Sequence, residues 1–271
     1  MKKQAVVFAF PGTSLKEAGE TLARIDERFG LRFAGMRRLW AYTSSGVRRK
    51  LEQGGKAVAG PSEALRTLQS EGVTHVAVKS LHLAASMEYT ELRDLVQDIR
   101  ARPGQFEKVV LSTPLLEASA DFECTVRCLL AALPSGTDAD EALLLVAHGS
   151  RRPEAEAAYE AAAAFCRRLD RRVIMGNLMS HPGIEDVIRE CKAAGIRKLM
   201  LAPLMIVAGS SARNEMAGGD RTSWVSVLER EGIRCASLIR GLGDHDDIVQ
   251  IWLDDVERLL RELSESNLPT G

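Results

Sequence analysis

Strand-like and helix-like segments alternate along the whole chain, and this alternation restricts the fold more than any other feature of the sequence. Eight short apolar runs resemble buried β-strands, and amphipathic stretches of helical length separate most of them. The runs are residues 5–10, 38–42, 75–81, 108–113, 142–147, 172–178, 198–204 and 234–239. They are apolar on both faces, as the strands of covered parallel sheets are. The sequence therefore predicts an α/β protein with mainly parallel sheets.

The two halves of the sequence resemble each other. Residues 6–14 and residues 144–150 each read as a strand, a glycine-containing turn and a polar helix start. Residues 75–83 parallel residues 198–206 in the same way, near the third predicted strand of each half. This correspondence indicates an internal duplication with four strands in each half. The polar, turn-rich segment 134–141 is the predicted junction.

We therefore predict two similar doubly wound lobes with mainly parallel four-stranded sheets around a central cleft. The N-terminal lobe comprises residues 1–136, and the C-terminal lobe comprises residues 137–271. Ligands of open α/β sheets bind outside the carboxyl ends of the strands. We expect the candidate metal or active site at this position in the C-terminal lobe.

Composition excludes several classes of partner. The 271 residues include 36 Lys and Arg against 37 Asp and Glu, a net charge of −1, which gives no electrostatic case for nucleic acid. No apolar run approaches the roughly 18–20 residues of a membrane span. The apolar run that follows Lys3 is too short for the core of a signal peptide. We therefore expect a cytoplasmic protein with neither nucleic acid nor a membrane as partner.

Three histidines, His82, His148 and His181, lie at the predicted carboxyl ends of strands. His148 is the most informative because it ends an apolar strand and precedes a glycine turn. Imidazole titrates near neutral pH and binds borderline metal ions, so this position suits proton transfer or metal binding. A histidine that only hydrogen-bonds to the turn backbone is the alternative.

The glycine-rich turns lack the G-x-G-x-x-G and G-x-x-x-x-G-K-[ST] spacings of nucleotide-binding loops. We therefore expect no nucleotide and no other organic cofactor. Arg151, Arg152 and Arg213 lie near the same predicted rim, where they could pair with anionic groups of a ligand. Solvated surface arginines are the alternative.

An ordered series of short motifs runs nearly from end to end of the chain. In the first half these are Gly12-Thr13-Ser14, Ala41-Tyr42-Thr43-Ser44, Arg48-Arg49-Lys50-Leu51, Ser80-Leu81-His82, Glu88-Tyr89 and Thr113-Pro114-Leu115-Leu116. In the second half they are His148-Gly149, Pro203-Leu204-Met205-Ile206-Val207-Ala208-Gly209, Asn214-Glu215-Met216, Ser223-Trp224 and Gly241-Leu242-Gly243. On these motifs the chain resembles the anaerobic sirohydrochlorin cobaltochelatases, the CbiK branch of the class II chelatases.

The resemblance implies insertion of Co(II) into sirohydrochlorin, an eight-carboxylate tetrapyrrole, during anaerobic cobalamin biosynthesis. The divalent metal is a substrate, and Ni(II) or Fe(II) are alternatives within this class of enzymes. The resemblance also implies a metal site of two histidines and one glutamate in the C-terminal half. The first histidine matches His148, the glutamate position holds Met179, and the second histidine position holds Ser211. Two of the three expected ligands are therefore replaced.

These replacements leave three interpretations open. In the first, the protein is a chelatase with a rearranged site. His148 is then the catalytic residue and a metal ligand, it works with His181, His82 or Glu88, and the tetrapyrrole nitrogens complete the ligand set. Alternatively, it is a non-catalytic relative that binds a tetrapyrrole or a haem-like molecule. In the third interpretation only the scaffold is shared and the reaction differs. A phosphoryl transfer on His148 is one example, although Ala147 stands where an Arg-His-Gly motif needs arginine.

The remaining expectations concern the tetrapyrrole and the assembly. A homo-oligomer is compatible with the sequence. The candidate substrate-binding residues are Thr13, Ser14, Glu88, Arg151, Arg152, Met179, Ser211 and Arg213.

Overall fold

The computed structural model describes residues 2–102, 104–131 and 140–265, without the side chains of residues 16–18. The strands of the first half are β1 (Gln4–Phe10), β2 (Arg37–Tyr42), β3 (His75–Ser80) and β4 (Lys108–Leu111). The helices of that half are α1 (Lys16–Arg32), α2 (Ser45–Gln53), α3 (Pro61–Ser70), α4 (Met87–Ala101) and α5 (Ser119–Ala131).

The second half repeats this alternation. Its strands are β5 (Glu141–Ala147), β6 (Val173–Asn177), β7 (Lys198–Pro203) and β8 (Arg234–Ser237). Its α-helices are α6 (Pro153–Leu169), α7 (Ile184–Ala194), α8 (Trp224–Arg230) and α9 (Asp246–Ser264). A π-helix at Ser211–Met216 and a short 3₁₀-helix at Leu242–Asp244 complete the described elements. Each of the eight predicted strand runs overlaps one observed strand.

The strands form two four-stranded sheets with equivalent orders, β2-β1-β3-β4 and β6-β5-β7-β8. All neighbouring strands in both sheets are parallel. The predicted fold class is therefore confirmed, including the internal duplication. In the second sheet the chain passes from β5 to β6 on one side and then crosses to β7 on the other side. The carboxyl end of β5 is thus the topological switch point, where ligands of such sheets bind.

The second sheet is buried because its central strand is apolar throughout. Residues 142–147 of β5 are all buried, as expected for a parallel strand covered on both faces. Strand β6 approaches side chains of helices α7 and α8 so closely that one of its positions must be glycine. A Cβ atom at Gly176 would lie 2.7 Å from the ring of Trp224 and 2.9 Å from a methyl group of Val187.

The chain divides into two compact units, and each unit is discontinuous in sequence. The first comprises Met1–Ser14, Ala23–Leu115 and Gln250–Gly271, and the second comprises Leu15–Leu22 and Leu116–Val249. Each four-stranded sheet lies within one unit. The bounds of the units differ from those of the predicted lobes in three places: segments 15–22 and 116–136 are assigned to the second unit, and segment 250–271 is assigned to the first. The predicted boundary between residues 136 and 137 lies outside the described residues.

A buried ion pair explains why the end of the chain belongs to the first unit. The Lys79 ammonium of β3 bonds to the Asp255 carboxylate of α9, and both side chains are buried. Arg258, one turn further along α9, also binds Asp255.

Within the ranges that the structure covers, no helix is long and apolar enough to cross a membrane.

Candidate functional site

His148 and Met179 lie side by side at the carboxyl ends of two neighbouring strands. The pairing of β5 with β6 continues past the ends of both strands. The Leu178 amide donates to the Ala147 carbonyl at 3.0 Å, and the Met179 amide donates to the His148 carbonyl at 3.1 Å. His148 is exposed, and Met179 is 44% exposed. The imidazole and the thioether are therefore both accessible at this edge of the sheet.

The turn after His148 packs tightly against the loop after β6. Gly149 has a φ of +82°, a conformation that favours glycine. A Cβ atom there would lie 2.6 Å from the Ser180 hydroxyl oxygen and 3.0 Å from the Asn177 Cβ. The Ser150 amide donates to the Ser180 hydroxyl at 3.2 Å. The backbone around His148 is therefore fixed by direct contact with this loop.

Asn177 anchors that loop to the end of β6. Its side chain is buried, and its Nδ2 donates to the His181 carbonyl at 2.7 Å. Its backbone amide donates to the carbonyl of Pro182 at 2.7 Å. The peptide bond between His181 and Pro182 is cis. The Oδ1 of Asn177 is buried without a hydrogen-bond partner among the described residues. These bonds fold residues 178–182 back onto the strand end and so position Met179.

The imidazole of His181 is paired with Asp186 at the start of α7. Its Nδ1 lies 2.9 Å from Asp186 Oδ2, and the side chain is 74% exposed. The hydrogen bond and the negative charge of Asp186 raise the pKa of His181, and Glu156 and Glu160 of α6 contribute in the same direction. His181 lines an open groove of about 590 Å³ beside Arg167 of α6. A metal role for His181 beside His148 stays a prediction.

The segment after β7 places Ser211 beside Glu215. The Leu204 amide donates to the Val146 carbonyl at 2.8 Å, so this segment leaves the sheet beside β5. It then forms the π-helix, in which the Ser211 hydroxyl donates to Glu215 Oε1 at 2.9 Å. Glu215 is part of the motif Asn214-Glu215-Met216, but the sequence predicted no role for it at the site. Its four-residue spacing from Ser211 was the available signal, because residues that far apart are neighbours on a helix.

The three candidate arginines occupy the starts of two helices. Arg151 is exposed, and Arg152 is the residue that precedes α6. Arg152 Nε lies 3.8 Å from a carboxylate oxygen of Glu154. Arg213 lies in the π-helix, and its Nε donates to the Ala208 carbonyl at 3.1 Å. Their roles in holding carboxylates of a ligand stay predictions.

His82, one of the predicted metal ligands, is buried and hydrogen-bonded through both ring nitrogens, and its metal role stays a prediction. It is 3% exposed, and both ring nitrogens have side-chain partners. Nε2 lies 2.9 Å from the Thr43 hydroxyl, and Nδ1 lies 2.9 Å from the Ser80 hydroxyl. The ring also packs edge-on against Tyr89. Burial lowers the pKa of His82 to about 4, so the ring is neutral at neutral pH.

The other candidates in the first unit follow β1 and begin α4. Thr13 and Ser14 come directly after the glycine turn at the end of β1 and are half-buried. Glu88 is also half-buried, and its carboxylate accepts a hydrogen bond from the Ser86 hydroxyl at 3.1 Å. Their contacts with a tetrapyrrole stay predictions.

The residues that surround His148 do not form a conventional metal cage. Among the residues that the structure describes, no group of three or more His, Cys, Asp or Glu side chains is arranged to hold a metal ion. A neutral thioether at position 179 and a hydroxyl at position 211 are weak ligands for Co(II). Within the described ranges, His148 is thus not part of a three-residue ligand group, and its role as a metal ligand stays a prediction.

The fold is that of the chelatases among solved structures. SirB from Bacillus subtilis with Fe3+ has a TM-score of 0.63 and 17% sequence identity, with 96% of each chain covered. The sirohydrochlorin chelatase SirB from Bacillus subtilis subspecies spizizenii in complex with cobalt has a TM-score of 0.62 and 14% identity, with 97% of each chain covered. At these identities the likeness shows a shared fold.

Sequence comparison identifies the family. The cobalt chelatase (CbiK) family model matches residues 3–261, so the chain belongs to that family. A sirohydrochlorin cobaltochelatase, CbiKC, from Nitratidesulfovibrio vulgaris is 37% identical over 267 residues, covering 98% of this chain and 93% of the relative. A sirohydrochlorin cobaltochelatase from Salmonella typhimurium is 30% identical over 264 residues, covering 96% and 97%. The predicted resemblance is confirmed.

Proposed function

We propose that the protein inserts a divalent metal ion, Co(II) in the first instance, into sirohydrochlorin on the anaerobic route to cobalamin. The supporting observation is an exposed histidine, His148, at the carboxyl end of β5 in a chain that matches the CbiK family over residues 3–261. The two curated relatives named above are both sirohydrochlorin cobaltochelatases. We keep the cytoplasmic location and a homo-oligomeric state as predictions.

His148 has the chemistry that this reaction needs. The tetrapyrrole loses two pyrrole protons as the metal enters, and the nitrogen electron pairs that are freed form bonds to the metal. A neutral imidazole has one free nitrogen electron pair, so it can coordinate the divalent ion first and, once the ion has passed to the macrocycle nitrogens, accept one pyrrole proton with the same pair. The other pyrrole proton would pass to solvent water. Its exposed position at the topological switch point leaves it accessible to both substrates.

The replaced ligands imply an order of binding. One imidazole holds Co(II) weakly, because folded metal sites owe their affinity to several ligands held together. The nitrogens of the tetrapyrrole then supply the remaining ligands. We therefore expect the tetrapyrrole to bind before the metal, with Arg151, Arg152 and Arg213 pairing with its peripheral carboxylates.

A second candidate function is tetrapyrrole or haem binding without metal insertion. The observation that favours it is the exposed thioether of Met179 beside His148, since histidine and methionine are both ligands of haem iron. The lack of a three-residue ligand group in the described parts of the chain points the same way.

One assay separates these functions. Sirohydrochlorin is added to the protein without oxygen, and a spectral shift reports its binding. Co(II) is then added, and the absorbance change gives the insertion rate after subtraction of the spontaneous rate. Insertion faster than background supports the chelatase, and parallel runs with Ni(II) and Fe(II) rank the metals. Binding without acceleration supports the second function. Neither binding nor acceleration would reject both and leave a shared fold only.

A further inference from the structure

The Glu215 carboxylate is fixed at the surface of the π-helix that follows β7. Ser211 Oγ donates to its Oε1 at 2.9 Å, and Glu215 is exposed. Ala212 and Met216 of the same helix are fully buried in the hydrophobic core of the second unit. Because the apolar side chains fix one side of the helix, Ser211 and Glu215 are left on its other side. π-Helical turns are rare in proteins, and those that occur often lie at functional sites.

The π-helix begins at the same edge of the sheet as His148. Strands β5 and β7 are parallel neighbours, with Val146 opposite Pro203. His148 follows the end of β5, and the loop to Ser211 follows the end of β7. Two backbone-directed bonds fix the start of the helix, since the amide and the Nε of Arg213 donate to carbonyls of Gly209 and Ala208 at 3.1 Å each.

Ser211 fixes where the Glu215 carboxylate lies. The serine hydroxyl donates to Glu215 Oε1 at 2.9 Å. The two residues are four positions apart in the π-helix, and Glu215 is exposed. The hydrogen bond therefore orients the carboxylate while leaving it accessible from solvent.

We propose that Glu215 is the second protein ligand of the incoming divalent metal, and that Ser211 positions its carboxylate. This inference rests on the function proposed above and adds a residue to its site. A carboxylate oxygen and an imidazole nitrogen are both good ligands for Co(II), unlike the thioether of Met179. The hydrogen bond from Ser211 resembles the bonds that orient metal-binding carboxylates in other proteins.

Three variants test the proposal. Glu215→Gln removes the charge at nearly constant shape, and Ser211→Ala removes the orienting hydroxyl. Glu229→Gln is the matched control, because Glu229 is an exposed carboxylate of the same unit on helix α8. Co(II) affinity of each free protein is measured by competition with a chromophoric chelator. The kcat and the KM values for Co(II) and sirohydrochlorin are measured without oxygen, and a melting temperature checks folding.

We expect Glu215→Gln to weaken Co(II) binding and to lower kcat/KM for Co(II) at least tenfold. Ser211→Ala should lower both about tenfold, as loss of an orienting partner does. The KM for sirohydrochlorin should stay within twofold, and Glu229→Gln should match the unmodified protein. A purely structural role would instead lower the melting temperature and leave the metal affinity unchanged.

The outcomes separate this inference from the proposed function. If the unmodified protein inserts Co(II) and Glu215→Gln equals Glu229→Gln in affinity and rate, the assignment of Glu215 is overturned and the chelatase stands. If the unmodified protein does not insert Co(II), the proposed function fails. The Co(II) affinities of the free proteins then test the role of Glu215 separately. Weaker Co(II) binding by Glu215→Gln but not by Glu229→Gln supports Glu215 as a metal ligand, and equal binding by the two variants rejects it.

Discussion

Replacing Gly149 with alanine tests how firmly the turn after β5 fixes His148. Gly149 combines a φ of +82° with close contact to the loop that follows β6. Gly195, which ends helix α7, offers a matched control. It has a φ of +70°, and a Cβ atom there would meet nothing within 4 Å. The two alanine variants share the backbone strain and differ in the steric contact.

The expected loss of unfolding free energy is the sum of a backbone-strain cost and a steric cost. A left-handed backbone conformation costs a non-glycine residue about 1–2 kcal/mol, and both variants incur this cost. The Cβ atom of Gly149→Ala would also lie 2.6 Å from the Ser180 hydroxyl and 3.0 Å from the Asn177 Cβ. Relieving such overpacking costs about 1–3 kcal/mol more. We expect a loss of unfolding free energy of about 2–5 kcal/mol for Gly149→Ala and about 1–2 kcal/mol for Gly195→Ala.

Urea denaturation measures both losses, and the assay with sirohydrochlorin and Co(II) measures their effect on the site. The steric displacement should reach His148 and Met179, so Gly149→Ala should also lower the insertion rate at temperatures where it is folded. Gly195→Ala should insert metal at the unmodified rate. Equal losses of stability in the two variants, or unchanged insertion by Gly149→Ala, would refute the tight-turn argument.

Three further predictions concern the histidines and the replaced ligands. His148→Ala should abolish metal insertion yet change the free energy of unfolding by less than about 0.5 kcal/mol, since the side chain is exposed; unchanged insertion would remove His148 from the mechanism. If the protein is the non-catalytic relative whose ligands have been lost, Met179→Glu combined with Ser211→His should raise the Co(II) insertion rate well above that of the unmodified protein, and no gain would mean that the pocket has diverged further than its ligands or that the alignment of these positions is off by a residue. His82 has a pKa of about 4 in the folded protein and about 6.5 when unfolded, so only the unfolded state binds a proton between these values. Unfolding free energy should therefore fall as the pH drops from about 6.5 towards 4, and a His82→Asn variant with the same slope in urea denaturation would contradict this assignment.

The fold was predictable because its evidence is local. An apolar run such as residues 142–147 can be buried on both faces only in a covered sheet, and the alternation with helices then requires parallel strands. Which segments of the chain belong to which unit was not predictable from local sequence. The segment after residue 249 belongs to the first unit through the bond between Lys79 and Asp255, which are 176 positions apart in the chain.

The candidate site was predictable only in part. His148 and His82 both follow apolar strands, and their local sequences do not distinguish an exposed imidazole from a buried one. The difference comes from Thr43, which follows β2 on the far side of β1 and lies 2.9 Å from the Nε2 of His82. The pairing of His181 with Asp186 likewise depends on how the loop after β6 folds back. The position of Glu215 depends on a π-helix, and the sequence pattern did not predict a π-helix at these residues.

The exchange of segments between the two units has a consequence for how the protein can be divided. The equivalent strand orders invite expression of each half as a separate small protein, cut at the apparent repeat boundary. Such a fragment of the first half would lack residues 250–265 and with them the carboxylate of Asp255. The Lys79 ammonium would then lose its buried partner, which costs about 3–5 kcal/mol in comparable ion pairs. The first repeat cut in this way would thus be destabilised, because its sheet is held by a carboxylate from beyond the second repeat's last strand.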